Sequence, residues 1–516
     1  MKKWLTVGLI TVSLLLSGCL SGKQSVKEQP RELLYMLPST YSLEQLDKKM
    51  DDTELAKELE RKTGIRVTFV HPSTGDMKSE LMMRLASSNL PDIIEMSWNE
   101  SGGPEKALED EIIIPLNEVI KSYSPNFQNY ITQNPEKVKE FMTDSGTFYA
   151  YPFIREEEYQ KKYQGPVFRK DWLDELGLSA PETLDEWEYT LREFRDKKGA
   201  KAPAAIKIGD FANGLLVGAY GINMGYYNDN GTIKFGAYEE EFRYFLEKMA
   251  QWYAEGLLDP NFMSLTANLA EEKLVSGDSG VAFLPIGSGM GKLEQNRDGE
   301  SLDLIAAQYP VMQKGDELRF GAYDNGQCNA AISTSCYDVP AAAKFLDYGY
   351  SPEGMLTYNF GIENVSYVIS EGKPRYTDLI TNNPSYIMQV IMGDYIRGNY
   401  NGPFIQMRDY LDQYFISESQ KDAAVLWKHV KSEKTVMPRI TYTGEEKEAM
   451  VRYEAIEEYT KDMLKKFISG IRPVSEFDEF REELEKQGVQ QALKIKQQSY
   501  ERYLKRGEYS EVNKKE

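Results

Sequence analysis

Six tryptophans and 34 tyrosines stand among 516 residues. Both side chains offer a flat apolar face with a polar edge, which suits stacking on sugar rings. Polar groups that position a small ligand tend to lie just beyond the carboxyl ends of strands in α/β sheets. Four stretches meet that condition, the last of them residues 361–367 with Glu363 and Tyr367. In residues 95–99, Glu95 is a polar candidate and Trp98 is either a stacking platform or a core residue. In residues 151–155, Tyr151 could touch a ligand while Pro152 sets a hinge. Arg155 has two readings there, a ligand contact or a salt bridge with the acidic run 156–158. In residues 285–289, Gly287 and Ser288 follow an apolar strand, and glycine lets backbone amides approach a ligand closely. A plain turn is the alternative. Other chemistry has little material. His71 and His429 are the only histidines, too few for a His-rich zinc site and poor stock for a Ser-His-Asp triad. Cys328 and Cys336 flank a strand-like stretch, and the ends of an extended segment lie too far apart to favour a disulfide.

The elements that must hold these residues alternate in type. A strand near 33–37 precedes a helix over 53–63 that Gly64 ends. Residues 65–70 alternate at period two, 77–88 read as helix, and 91–96 as the next strand. Strands alternating with helices imply parallel pairing and helix-covered sheets. Helices are expected over 169–176, 183–194 (with a capping pattern at Thr183 and Glu186) and 240–255. A short strand at 280–284 follows, and the last third is helical and charged, with helices at 444–467 and 475–503.

The amino terminus speaks about compartment. Lys2 and Lys3 precede a mostly apolar run over 4–16, too short to span a bilayer comfortably and of signal-peptide length. It ends in Leu16-Ser17-Gly18-Cys19, a string that resembles a bacterial lipobox. Cleavage after residues 1–18 would leave Cys19 first, its sulfur carrying a diacylglycerol, and residues 19–31 read as a polar tether. The expected location is the extracytoplasmic face of the cell membrane. Sixty-one basic against 81 acidic residues give a formal net charge of −20, which argues against nucleic acid and against an anionic surface as the partner.

Seven segments, in order, resemble extracellular solute-binding protein family 1 in its long lipoprotein branch. They are LERKTGI (59–65), PDII (91–94), FYAYP (148–152), FRKDWLDELG (168–177), APETLDEW (180–187), EGLLDP (255–260) and NFGIENVSY (359–367). The resemblance implies an α/β fold of two periplasmic-binding-protein-like lobes with ligand in the cleft between them. It places lobe one at 32–150 plus 325–370 and lobe two at 151–324 plus 371–516. It also implies capture of a carbohydrate, an oligosaccharide by analogy with the long branch, and delivery by a monomer to the permease subunits of an ABC importer. Neutral glycans are favoured mildly over uronates by the negative charge. Within the matched segments Glu363 could bind a pair of hydroxyls and Tyr367 could stack. Asp171 and Trp172 join the candidates, with Trp172 facing either the cleft or Leu176.

One departure stands out. The branch often carries an acidic calcium loop after a Trp-containing helix, but here 196–203 read DKKGAKAP, with lysines in place of most oxygen ligands. Calcium takes about six to eight oxygens, so no calcium site, and no other cofactor, is expected. Two rival functions remain. A secreted glycoside hydrolase or polysaccharide lyase needs a carboxylate pair, about 5 Å apart for retention, and no catalytic motif is visible. A ligand-binding module for a sensor kinase would read the same closed lobes.

Overall fold

The computed structural model describes residues 32–72, 76–98, 103–295, 301–324 and 328–507. The signal-like run, Cys19 and the tether lie outside the described residues, as does Asn99. None of the described helices is long and apolar enough to cross a membrane.

Two four-stranded sheets organise the chain. In the first, Glu32–Met36 pairs in parallel with both Arg66–Val70 and Ile93–Ser97, and Cys328–Ile332 adds to the edge of Ile93–Ser97 in antiparallel sense. Ile93 and Ile94 are wholly buried, as a strand covered on both faces requires. The helix Glu54–Thr63 covers this sheet. It starts where Thr53 accepts the Ala56 N–H and stops at Gly64, whose φ of 67° is left-handed. The second sheet runs Leu304–Ala306, Gln164–Arg169, Val281–Pro285, Ala204–Ala205. Each sheet has its own apolar core, the second larger and shared with the carboxyl-terminal helices.

The chain passes between the sheets repeatedly. Tyr151 bridges to Ala330 at the edge of the first sheet, and the next residues, Ile154–Arg155, pair with Ile405–Gln406. The helix Met388–Tyr395 lies against the helices Tyr41–Gln45 and Glu54–Thr63, and Lys48 reaches Asp394 at 2.7 Å. This helix touches both parts of the molecule, because its Met388, Ile391 and Met392 belong to the second core while it rests on these first-lobe helices.

Two local expectations change. Residues 286–291 form a π-helical turn in place of a simple one, and a Cβ at Gly287 would stand 2.0 Å from the Tyr414 ring. The helix expected over 475–503 is two helices, Phe477–Lys486 and Val489–Leu504, broken at Gly488 with φ 94°. At the end of the helix Leu184–Lys198, Asp196 pairs with Arg195 and Lys198 with Glu175, and in the loop after it Lys201 pairs with Asp278 at 2.9 Å. A guanidinium meets the Asp196 carboxylate, and ammonium groups meet those of Glu175 and Asp278. Among the described residues no cluster of three or more His, Cys, Asp or Glu side chains could hold a metal. Cys328 and Cys336 are free thiols, and burial pushes the pKa of each up to about 12.

Candidate functional site

Strand polarity decides where a ligand could sit. Glu32–Met36 ends shortly before Thr40, which caps the short helix Tyr41–Gln45 by accepting the Leu43 N–H. Val281–Pro285 ends directly before Ser288 and Lys292. The structure brings these two strand ends together around a cavity of about 260 Å³. Tyr41 and Ser42 line it from the first lobe, and Glu271, Ser288 and Lys292 from the second. Asn399 and Tyr400 close one wall, and Gln389 another. The Tyr400 hydroxyl bonds Ser42 Oγ, and Ser42 Oγ in turn donates to the Gln389 carbonyl at 2.8 Å. Gln389 is only 6% exposed, and neither atom of its side-chain amide makes a hydrogen bond among the described residues.

Charge in this cavity is balanced. Lys292 Nζ lies 2.8 Å from Glu271 Oε2 and 5.8 Å from the centre of the Tyr41 ring. Burial alone would lower the lysine pKa, but the hydrogen bond and charge of Glu271 outweigh it and raise the pKa. Lys292 stays protonated beside Glu271. Burial also raises the hydroxyl pKa values of Tyr400 and Tyr414, so they act as neutral donors. A small pocket of about 70 Å³ continues from this cavity through Ser288, Asn399 and Tyr414, with Gly287 in its wall.

A second cavity, about 370 Å³, opens beside the crossing strand Ile154–Arg155, between Phe153 on one side and Asn228, Tyr323 and Tyr503 on the other. Arg155 lines it, with Nη1 2.6 Å from Asp324 Oδ2 and its guanidinium 5.1 Å over the Phe153 ring. The salt bridge foreseen with 156–158 goes to Asp324 instead. Tyr323 donates to Glu158 at 2.8 Å.

The other sequence candidates take packing roles. Glu95 is 1% exposed and accepts Arg397 Nη1 and Nη2 at 2.9 and 2.7 Å, with the Tyr35 hydroxyl as a third donor at 2.5 Å. A carboxylate so enclosed has no edge left for a hydroxyl. Trp98 is buried and its indole N–H donates to the Asn329 carbonyl at 2.9 Å, so its ring is core. Tyr151 is wholly buried among Phe127 and Tyr350, with its hydroxyl on Ser124. Asp171 is held by Arg169 at 2.8 Å. Burial would raise its pKa, but Arg169 outweighs that and lowers it. Trp172 packs edge-on to Phe194 and under Arg169. Glu363 is exposed, Tyr367 packs on Phe360, and neither lines either cavity. Of the ten, Arg155 and Ser288 line cavities shared by the lobes and Gly287 the adjoining pocket. Tyr41, Gln389 and Lys292 escaped the sequence reading.

With this geometry in view, comparison with known proteins is direct. The model of the bacterial extracellular solute-binding protein family matches residues 49–356. The chain belongs to that family of binding proteins. Among curated relatives, the fructooligosaccharide ABC transporter substrate-binding protein FusA of Streptococcus pneumoniae serotype 4 is 23% identical over 498 residues, 87% of each chain. Lipoprotein LipO of Bacillus subtilis is 22% identical over 408 residues, 75% of this chain and 77% of its own. Among solved structures, the alginate-binding protein AlgQ2 without calcium ion superposes with a TM-score of 0.75 at 23% identity, covering 92% of this chain and 98% of that one. Its fold is the two-lobe fold described above.

Proposed function

We propose that this chain captures an oligosaccharide between its lobes and hands it to the permease subunits of an ABC importer, as a monomer and without altering the sugar. The observation that carries this reading is the cavity at the facing strand ends, lined by Tyr41 from one lobe and Ser288 and Lys292 from the other. Such a site is completed only when the lobes are together, and closure about crossing strands is how hinged binders signal a loaded state. The names of the relatives support the ligand class: FusA takes fructooligosaccharides and AlgQ2 alginate. A first lobe of 32–150 plus 325–370, with the second lobe on the remainder, fits the strand pairing, and Ile405–Gln406 returns to pair with the crossing strand Ile154–Arg155. Closure then bends the chain near Arg155, Asp324 and Gln406.

The test is a thermal-shift screen of chain lacking residues 1–22 against plant and microbial oligosaccharides. Ligand at about a hundredfold above its dissociation constant adds about 2.7 kcal/mol, a visible shift. A hit with the sugar recovered intact is the expected result, and cleaved sugar would bring back the hydrolase. No shift with any glycan would remove the carbohydrate reading.

Anchoring follows from Cys19. Cys19→Ala is expected to move the protein from the membrane fraction to the soluble one, since two acyl chains are about the minimum for stable attachment. Retention of Cys19→Ala on the membrane would mean another anchor.

A further inference from the structure

Resting on that carbohydrate reading, we infer that the cavity between Tyr41 and Gln389 is the subsite for a single uncharged sugar ring, with Gln389 reading its hydroxyls. The Gln389 amide is the first reason. It is more than nine-tenths buried, it lines the cavity, and neither Oε1 nor Nε2 has a partner among the described residues. A buried amide left unpaired is costly, and folded proteins keep few of them. Neighbouring hydroxyls on a pyranose or furanose ring match it, one donating to Oε1 and the other accepting from Nε2. A purely apolar ligand could not.

The aromatic face is the second reason. Tyr41 is 49% exposed on the rim, a large apolar ring that the chain leaves half in water. The C–H face of a sugar can cover it while the hydroxyl edge reaches Gln389 and Asn399. Size sets the limit to one ring. About 260 Å³ falls below the range of about 300–1,000 Å³ typical of drug-sized sites. The rest of an oligosaccharide must leave by way of the exposed Ser288.

Charge sets the class. Glu271 and Lys292 are the acidic and basic side chains among the described lining residues, and they pair at 2.8 Å. A uronate carboxylate entering here would meet Glu271 and find its one cation already paired. The larger cavity at Arg155 does not compete for this role. Its lining carries Glu136, Glu140, Glu158 and Glu433 against Lys137, Arg155 and Lys161, an unbalanced charge, although Arg155 Nε and the Tyr130 hydroxyl there are also buried without a partner among the described residues.

Titration calorimetry with raffinose, kestose and maltotriose against trigalacturonate tests the proposal. A neutral trisaccharide is expected to bind and trigalacturonate to fail at the same concentration. Tyr41→Ala and Gln389→Leu are each expected to weaken the neutral ligand by about tenfold or more. The free Gln389→Leu protein should melt no lower than the parent, because the change removes an unpaired amide. Glu271→Gln should free Lys292 and let trigalacturonate bind. Neutral binding unchanged in both variants would overturn the subsite while leaving the carbohydrate reading intact. Preference of the parent protein for trigalacturonate would overturn the charge argument. If no glycan at all binds the parent, both readings fall together.

Discussion

Arg397→Ala is expected to destabilise the protein by about 3–5 kcal/mol, read as a lower urea midpoint. The guanidinium meets Glu95 through both oxygens at 2.7 and 2.9 Å, and the two side chains are 7% and 1% exposed. Glu95 sits in the strand Ile93–Ser97, inside the first sheet, where water cannot replace the lost partner. Removing arginine leaves an ionised carboxylate with only the Tyr35 hydroxyl, and a buried uncompensated charge is what makes such losses large. Burial, then the Glu95 charge, raises the Tyr35 pKa well above its ordinary value, so this hydroxyl remains a donor and cannot act as counter-ion. Desolvation also has a second consequence. Replacing both charges together, Glu95→Leu with Arg397→Met, should recover most of the loss, since a buried pair gains little over well-packed apolar groups of similar size. An Arg397→Ala protein that unfolds with the parent would show water reaching Glu95. The pair also bears on binding, because Arg397 stands two residues before Asn399 and three before Tyr400, both in the cavity wall.

That pair also shows where sequence reasoning stops. Glu95 looked like a ligand residue because a carboxylate near the carboxyl end of a strand is commonly functional. Its partner lies 302 positions away, and no local pattern links them. Helix ends were legible for the opposite reason. The Thr183–Glu186 capping box and the left-handed Gly64 and Gly177 act within one turn, so residue type alone reports them, whereas the helix expected to end at 194 runs on to Lys198 before the left-handed Gly199. Ser288 was reachable through its glycine-rich turn after an apolar strand. Gln389 was not, since a glutamine in the apolar helix Met388–Tyr395 looks ordinary until the fold turns it into a cavity. Trp98 failed as a platform because the strand Cys328–Ile332 supplies the carbonyl its indole needs, which draws the ring inward. Gly488 was read through as part of one helix. Its φ of 94°, with the Tyr453 ring 2.5 Å from where a Cβ would be, makes it a break instead.

Arg506→Ala should cost a similar amount, about 3–5 kcal/mol, and it should act on a different motion. The Arg506 side chain is wholly buried near the end of the described chain. Nε meets Asp144 Oδ1 at 2.9 Å, Nη1 donates to the Lys139 and Arg439 carbonyls at 3.0 and 2.8 Å, and Nη2 to Thr441 Oγ1 at 2.8 Å. Arg502 takes the other Asp144 oxygen at 2.7 Å, and the Tyr503 hydroxyl donates to Glu140 at 2.7 Å. Lys139, Glu140 and Asp144 flank Phe141 and Met142 of the first core, whereas the helix Val489–Leu504 packs on Gly444–Ile468 of the second. Arg506 therefore ties the two parts of the molecule at the opposite end of the chain from the Tyr41 wall. Arg506→Lys should recover only part of the loss, because one ammonium cannot reproduce the planar fork that serves these acceptors. Amide exchange separates this role from plain stability. Faster exchange over Val489–Leu504 and around Asp144, with Leu33 and Ile93 in the first sheet as protected as before, would mark a local tie between lobes. Exchange rising equally everywhere would mark Arg506 as part of one global core, and the lobes would then have to part somewhere else.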